Sequence, residues 1–151
     1  MEARYFEDWR VGEKMETGSA TVTEEAIVEF ARLYDPQPFH LDRGAAQASP
    51  FKRLVASGWH TAAVTMRLIV DSGIFGHSGG IGLGVDELRW LKPVYPGDTL
   101  HVTSEVGSKR ANPEKRSGVC HFKLTTFNQH GEAVYTHTAI VLVPKRPEAG
   151  A

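Results

Sequence analysis

Residues Gly58 to Ser72 read Gly-Trp-His-Thr-Ala-Ala-Val-Thr-Met-Arg-Leu-Ile-Val-Asp-Ser. Trp59, Ala62, Ala63, Met66, Ile69 and Val70 cover most of a helical circumference, and Thr61, Thr65, Arg67 and Asp71 interrupt it. A helix apolar on nearly all sides is a helix surrounded by other structure. It is no membrane span: the run Ala62 to Val70 is broken by Arg67 and falls well short of the ~20 residues that cross a bilayer. At ~1.5 Å per residue the segment makes a rod of roughly 22 Å, long enough to be the spine of a small domain. Gly73 is placed to stop it.

The material to surround this rod follows it in the chain. Ile81, Leu83 and Val85 alternate with glycines, and the apolar phase then switches to Leu88 and Trp90. A switch of phase around Asp86-Glu87 predicts a bulge or sharp bend. Leu100, Val102 and Val106 alternate with polar residues, as do Cys120, Phe122 and Leu124, and a last strand is expected over about 133–143. Pro96-Gly97-Asp98 and Asn128-Gln129-His130-Gly131 supply turns. Hairpin-linked strands are antiparallel. A further strand is expected near 14–22, and a helix over about 23–34 with Thr23 as N-cap. Ile27, Phe30, Ala31 and Tyr34 form the buried face of that helix, and Asp35 before Pro36 ends it. The expected class is α+β: a single domain over 1–151 in which a curved antiparallel sheet wraps a central helix, with a frayed tail from about 145. The edge strand of such a sheet invites pairing with a second copy, so a homodimer is expected.

Composition removes several classes of function. Seventeen basic against 18 acidic residues give a net charge of −1, too little positive charge for a nucleic-acid partner. The one cysteine, Cys120, precludes an internal disulfide framework and suits a reducing compartment. No secretory signal is visible in the charged first ten residues, so a cytoplasmic protein without a membrane partner is expected.

Chemistry concentrates in Tyr34-Asp35-Pro36-Gln37-Pro38-Phe39-His40-Leu41-Asp42. Two prolines stiffen the backbone between a carboxylate and an imidazole five residues apart. Asp35 and His40 are thereby candidates to hold one water molecule between an acceptor and a proton donor; equally, Asp35 caps a turn and His40 lies on the surface. In Val55-Ala56-Ser57-Gly58-Trp59-His60-Thr61, glycine opens the apolar helix. The unpaired N–H groups of a first helical turn attract an anion or a carbonyl oxygen gaining charge, and glycine lets it approach. The plainer alternative is an N-cap by Ser57.

Together these segments resemble the MaoC-like acyl dehydratases and R-specific enoyl-CoA hydratases, which have the hot-dog fold. The resemblance rests on Asp-x-x-Pro-x-His (Asp35 to His40), on Ala56 to Thr61, and on Leu88-Arg89-Trp90-Leu91-Lys92-Pro93-Val94-Tyr95-Pro96-Gly97-Asp98. It implies hydration of a trans-2-enoyl thioester or dehydration of a 3-hydroxyacyl thioester. Asp35 and His40 would then activate water, and the Gly58 N–H would bind the thioester oxygen. Phe39, Ser57, Trp59 and His60 are candidate substrate contacts. The implied substrate is an acyl-CoA or acyl-carrier thioester, with coenzyme A as part of the substrate and no separate metal or redox cofactor. Three departures bear on the substrate: Gln37 where the family usually has Asn, Ser57-Gly58 where His-Gly is typical, and Ala63 near a position where some members carry serine. A hot-dog thioesterase, and a non-catalytic acyl-binding subunit, remain as alternatives.

Other residues carry plainer expectations. His101, His121, His130 and His137 lack zinc-ligand spacing and are expected to be solvated. Lys109, Arg110, Lys115 and Arg116 form a basic loop, a solvated hairpin or a contact for coenzyme phosphates. Cys120 is expected in the core. Gly79-Gly80-Ile81-Gly82-Leu83-Gly84 lacks the strand-to-helix setting of a nucleotide loop and suits backbone passing close to the central helix.

Overall fold

A computed structural model describes residues 2–150. Five strands, β1 (Lys14–Thr21), β2 (Ile81–Trp90), β3 (Thr99–Ala111), β4 (Ser117–Phe127) and β5 (Ala133–Pro144), form one sheet. Its order is β1-β3-β4-β5-β2, and every neighbouring pair is antiparallel. Four helices lie between β1 and β2: α1 (Glu24–Tyr34), α2 (Pro38–Leu41), α3 (Arg43–Gln47) and α4 (Gly58–Asp71). This is the expected α+β arrangement, with α4 against the sheet.

Local chemistry accounts for the boundaries. Thr23 caps α1 by accepting the Ala26 N–H, and Asp35, at φ −150° and ψ 68°, leaves the helical region ahead of Pro36. Ile27 and Ala31 are buried, whereas Tyr34, expected on the same face, is 72% exposed. It sits on the last turn and only its edge reaches Phe30. Pro38 starts α2, where its missing N–H costs nothing, and Asp42 caps α3 through the Ala45 N–H. These two short helices had no clear signal in the sequence, because each is too brief for a period of apolar residues to show. Ser57 caps α4, and Gly73, at φ 70°, follows its end. The bend expected in β2 is present: Glu87 takes a left-handed φ of 52° where the β2–β5 register slips between Asp86 and Arg89.

The core lies between α4 and the concave face of the sheet, where Leu100, Val102, Cys120, Phe122, Val134 and Val143 are almost fully buried. Trp9, before β1, meets Phe122 edge-on at 4.8 Å and closes one end of this core. Inside it, the hydroxyls of Thr65 on α4 and Thr126 on β4 bond to each other at 2.6 Å. Burial pushes the Cys120 thiol up to about 11, so it behaves as a small apolar residue.

The sheet covers α4 on one side, and one apolar stripe of the helix stays open in the single chain. Trp59, Met66 and Val70 are more than half exposed, as are Ile81, Leu83 and Val85 on the outer strand β2. The all-round apolar character of α4 therefore exceeds what one chain covers. Past β5, the Lys145 N–H donates to the Arg116 carbonyl, and Arg146 pairs with Asp8. None of the described helices is long and apolar enough to cross a membrane.

The threonine pair gives a test of the core. Thr65→Val leaves the Thr126 hydroxyl buried and unpaired and should cost about 1–3 kcal/mol in denaturant unfolding. The double change Thr65→Val with Thr126→Val should recover most of that loss.

Candidate active site

The stiff segment after α1 and the start of α4 meet at one carboxylate. Asp35 Oδ1 accepts from Gln37 Nε2 at 2.6 Å, and Oδ2 accepts from the Ser57 hydroxyl at 2.7 Å. His40 Nε2 lies 3.3 Å from the same Oδ2. The other ring nitrogen, Nδ1, is 2.7 Å from the Val55 carbonyl, which can only accept. That bond places a proton on Nδ1 and leaves Nε2 as the ring atom that faces Asp35. Burial alone would raise the Asp35 carboxyl, but the bonds from Ser57 and Gln37 and the neighbouring His40 outweigh it and hold the group below its ordinary value. Asp35 is thus ionised at neutral pH. Asp35 Oδ2 and His40 Nε2 thus lie side by side, a geometry that can hold one water molecule between them.

Ser57 is completely buried, and its oxygen also accepts the Trp59 N–H. One hydroxyl therefore ties the carboxylate to the first turn of α4. The Gly58 N–H has no hydrogen-bond partner among the described residues. A Cβ added at Gly58 would fall 2.5 Å from Cε2 of Trp90, so no larger residue fits there without movement of that ring. Trp90 also donates its indole N–H to the Gly58 carbonyl at 2.8 Å. The sequence reading did not assign Trp90 to the site. Its only signal was its place within the Leu88 to Asp98 motif.

A cavity of about 420 Å³ opens over this cluster, lined by Asp35, Phe39, His40, Gly58, Trp59 and Trp90 among others. Ser57 lies beneath it as a support for Asp35. His60 does not line it: the imidazole is buried and stacks on Phe30 at 4.9 Å. The stacking follows from helical phase, since the residue after Trp59 turns toward α1. A neighbouring cavity of about 550 Å³ shares Lys92 and Pro93 with the first and is also lined by Arg53. The basic loop lies elsewhere: Lys109 is spent on the carbonyls of Phe6 and Trp9, and with Arg110 it lines a separate hollow. Among the described residues no cluster of three or more His, Cys, Asp or Glu side chains could hold a metal ion.

With this geometry in hand, known proteins can be compared. A family model described as MaoC like domain matches residues 7–127. The chain belongs to the MaoC-like domain family. A crystal structure of a MaoC-like dehydratase from Rhodospirillum rubrum superposes with a TM-score of 0.91 at 43% identity, covering 96% of this chain and 99% of that one. The (R)-specific enoyl-CoA hydratase of Rhodospirillum rubrum is 32% identical over 94% of this chain and 93% of its own length. The mesaconyl-CoA hydratase of Cereibacter sphaeroides is 33% identical over 97% of this chain, which spans 43% of that protein. This MaoC-like chain thus keeps an unbroken carboxylate–imidazole pair despite Gln37 and Ser57, both of which bond directly to Asp35.

The lowered Asp35 value sets a pH dependence. A carboxyl with a depressed folded value stabilises the fold above its unfolded value, ~3.9, and that contribution is lost as pH falls through the folded value. Melting temperatures recorded from pH 6 downward, toward ~2, should therefore fall more steeply for the native chain than for Asp35→Asn.

Proposed function

We propose that this MaoC-like protein is a hydro-lyase that interconverts a trans-2-enoyl thioester and a 3-hydroxyacyl thioester. The observation that carries the reading is the shared focus of Asp35 Oδ2 and His40 Nε2, 3.3 Å apart, in the cavity that also holds the unpaired Gly58 N–H. The relatives named as hydratases support the same reaction class.

In hydration, water held between Asp35 and His40 adds its oxygen to C3 as the C2–C3 π electrons move toward the thioester. One O–H bond breaks, and its proton passes to the Asp35–His40 pair. The thioester oxygen becomes an enolate oxygen, and the Gly58 N–H at the positive end of α4 is aimed to stabilise it. The same pair returns a proton to C2 as the carbonyl re-forms, so the site ends as it began. The bonds from Ser57 and Gln37 favour the ionised form of Asp35. In this reading the reaction needs no metal or redox group, and coenzyme A enters as part of the substrate. Lys92 and Arg53, beside the site, are better placed than the 109–116 loop to meet its phosphates. A reducing, cytoplasmic setting fits the single buried thiol.

A second copy of the chain is the proposed cover for the exposed apolar stripe of α4 and for the free edge of β2. Apolar surface of this extent on a soluble chain marks an interface. Val85→Asp should convert dimer to monomer in equilibrium sedimentation; an unchanged dimer would place the interface elsewhere.

The direct assay is loss of the conjugated enoyl absorbance on incubation with trans-2-enoyl-CoAs of graded length. Asp35→Asn and His40→Gln should each lower kcat/KM by about 10²–10⁴-fold. Full activity in either variant, or release of free thiol from saturated acyl-CoA without hydration, would overturn the assignment in favour of another acyl chemistry.

A further inference from the structure

A second cavity, of about 460 Å³, lies on the other side of Trp59, between α4, β2 and the concave face of the sheet. Among the described residues, Trp59 alone lines both it and the catalytic cavity. Most of its wall is hydrocarbon, including Met66, Ile69, Val85 and Leu88. Gly82 and Gly84 on β2 contribute no side chains to it, and a Cβ at Gly82 would meet nothing within 4 Å.

Thr65, Ser104, Tyr135 and His137 bring polar groups to this wall; Thr65 bonds to Thr126, whereas Ser104 and His137 each carry a sealed atom without a partner. Ser104 on β3 pairs in register with Leu124 on β4, and Leu124 pairs with His137 on β5. The three form one row across the sheet, and all three line the cavity. Ser104 is 3% exposed and His137 is 7% exposed, which corrects the expectation that His137 is solvated. The Ser104 hydroxyl and His137 Nδ1 are sealed from water and have no hydrogen-bond partner. His137 Nε2 also bonds to nothing among the described residues, yet it is not sealed, so it is the ring atom that meets open space.

Leaving such groups unpaired costs about 1–3 kcal/mol each, and a Leu or Val would fill either position without that cost. The Thr65–Thr126 bond on the same face shows polar side chains in this core otherwise satisfied. Among the described residues no Asp, Glu, Lys or Arg lines the cavity, so a charged group would enter without a counter-charge. Burial also lowers the His137 imidazole and keeps it neutral, able to donate at one nitrogen and accept at the other.

We propose that this cavity selects acyl thioesters carrying an uncharged oxygen function, a hydroxyl or a carbonyl, beyond the reacting carbons, and that His137 recognises it through Nε2. The inference rests on the hydratase reading, with the acyl chain passing Trp59 from one cavity to the other. A site built to pair a substrate oxygen discriminates against the analogue that lacks it, because its own polar groups are then left unpaired.

The test uses the full chain and three trans-2-enoyl-CoAs of equal length ending in methyl, hydroxyl or carboxylate. The hydroxyl-ended substrate should exceed the methyl-ended one in kcat/KM by at least about tenfold. His137→Leu should bring that ratio close to one, and His137→Gln, which keeps a donor and an acceptor, should retain part of it. Equal or greater kcat/KM for the methyl-ended or the carboxylate-ended substrate overturns the proposal, as does an unchanged ratio in His137→Leu. If none of the thioesters turns over, the hydratase reading fails separately. Calorimetric binding of saturated methyl- and hydroxyl-ended acyl-CoAs then reads the same preference, and equal affinities overturn this proposal on their own.

Discussion

The Ser57 hydroxyl holds the site together. It donates to Asp35 and accepts from the Trp59 N–H, so the carboxylate and the first turn of α4 share one oxygen. Asp35 in turn fixes where His40 must lie, and the Val55 carbonyl fixes which ring nitrogen of His40 faces the carboxylate. Because Ser57 is fully buried, this chain of contacts is shielded from water and each bond is stronger for it. Helices and the loops that join them therefore meet at a few atoms, and the rest of the fold serves to keep them in register.

Much of this was legible beforehand where the signal was local. Thr23 as a cap, Pro36 as a stop, Ser57-Gly58 as a helix start and the switch of phase at Asp86-Glu87 each depend on a few adjacent residues, and each appears in the structure. The pairing of Asp35 with His40 was suggested by two prolines and raised by the resemblance. Their convergence, however, depends on Ser57 and Val55, which are distant in the chain. The role of Trp90 was not legible, because nothing in a strand sequence says which helix end its ring will cover. His137 was misjudged although it shares the period-2 phase of Tyr135, Val141 and Val143, which β5 buries.

The amount of cover on α4 was also not legible in one chain. Apolar pattern reports that a surface is shielded from water, but not by which molecule. Trp59, Met66 and Val70 satisfy a helical pattern for burial while remaining open along one stripe. The sheet shows the same imbalance, with β3, β4 and β5 contributing buried side chains while most of β2 is exposed. Both halves of the unfinished surface lie beside the wall of the second cavity, so closure of that cavity and shielding of the helix are one structural problem.

The contact between Gly58 and Trp90 has an evolutionary consequence. The indole occupies the space that any side chain at position 58 would need, and its N–H restrains the same residue's carbonyl. Neither position can drift alone: a bulkier residue at 58 needs a smaller one at 90, and a smaller one at 90 frees the peptide that presents the Gly58 N–H. Among relatives that keep this sheet and helix, the two sites should vary as a single character, although 32 residues separate them in the chain.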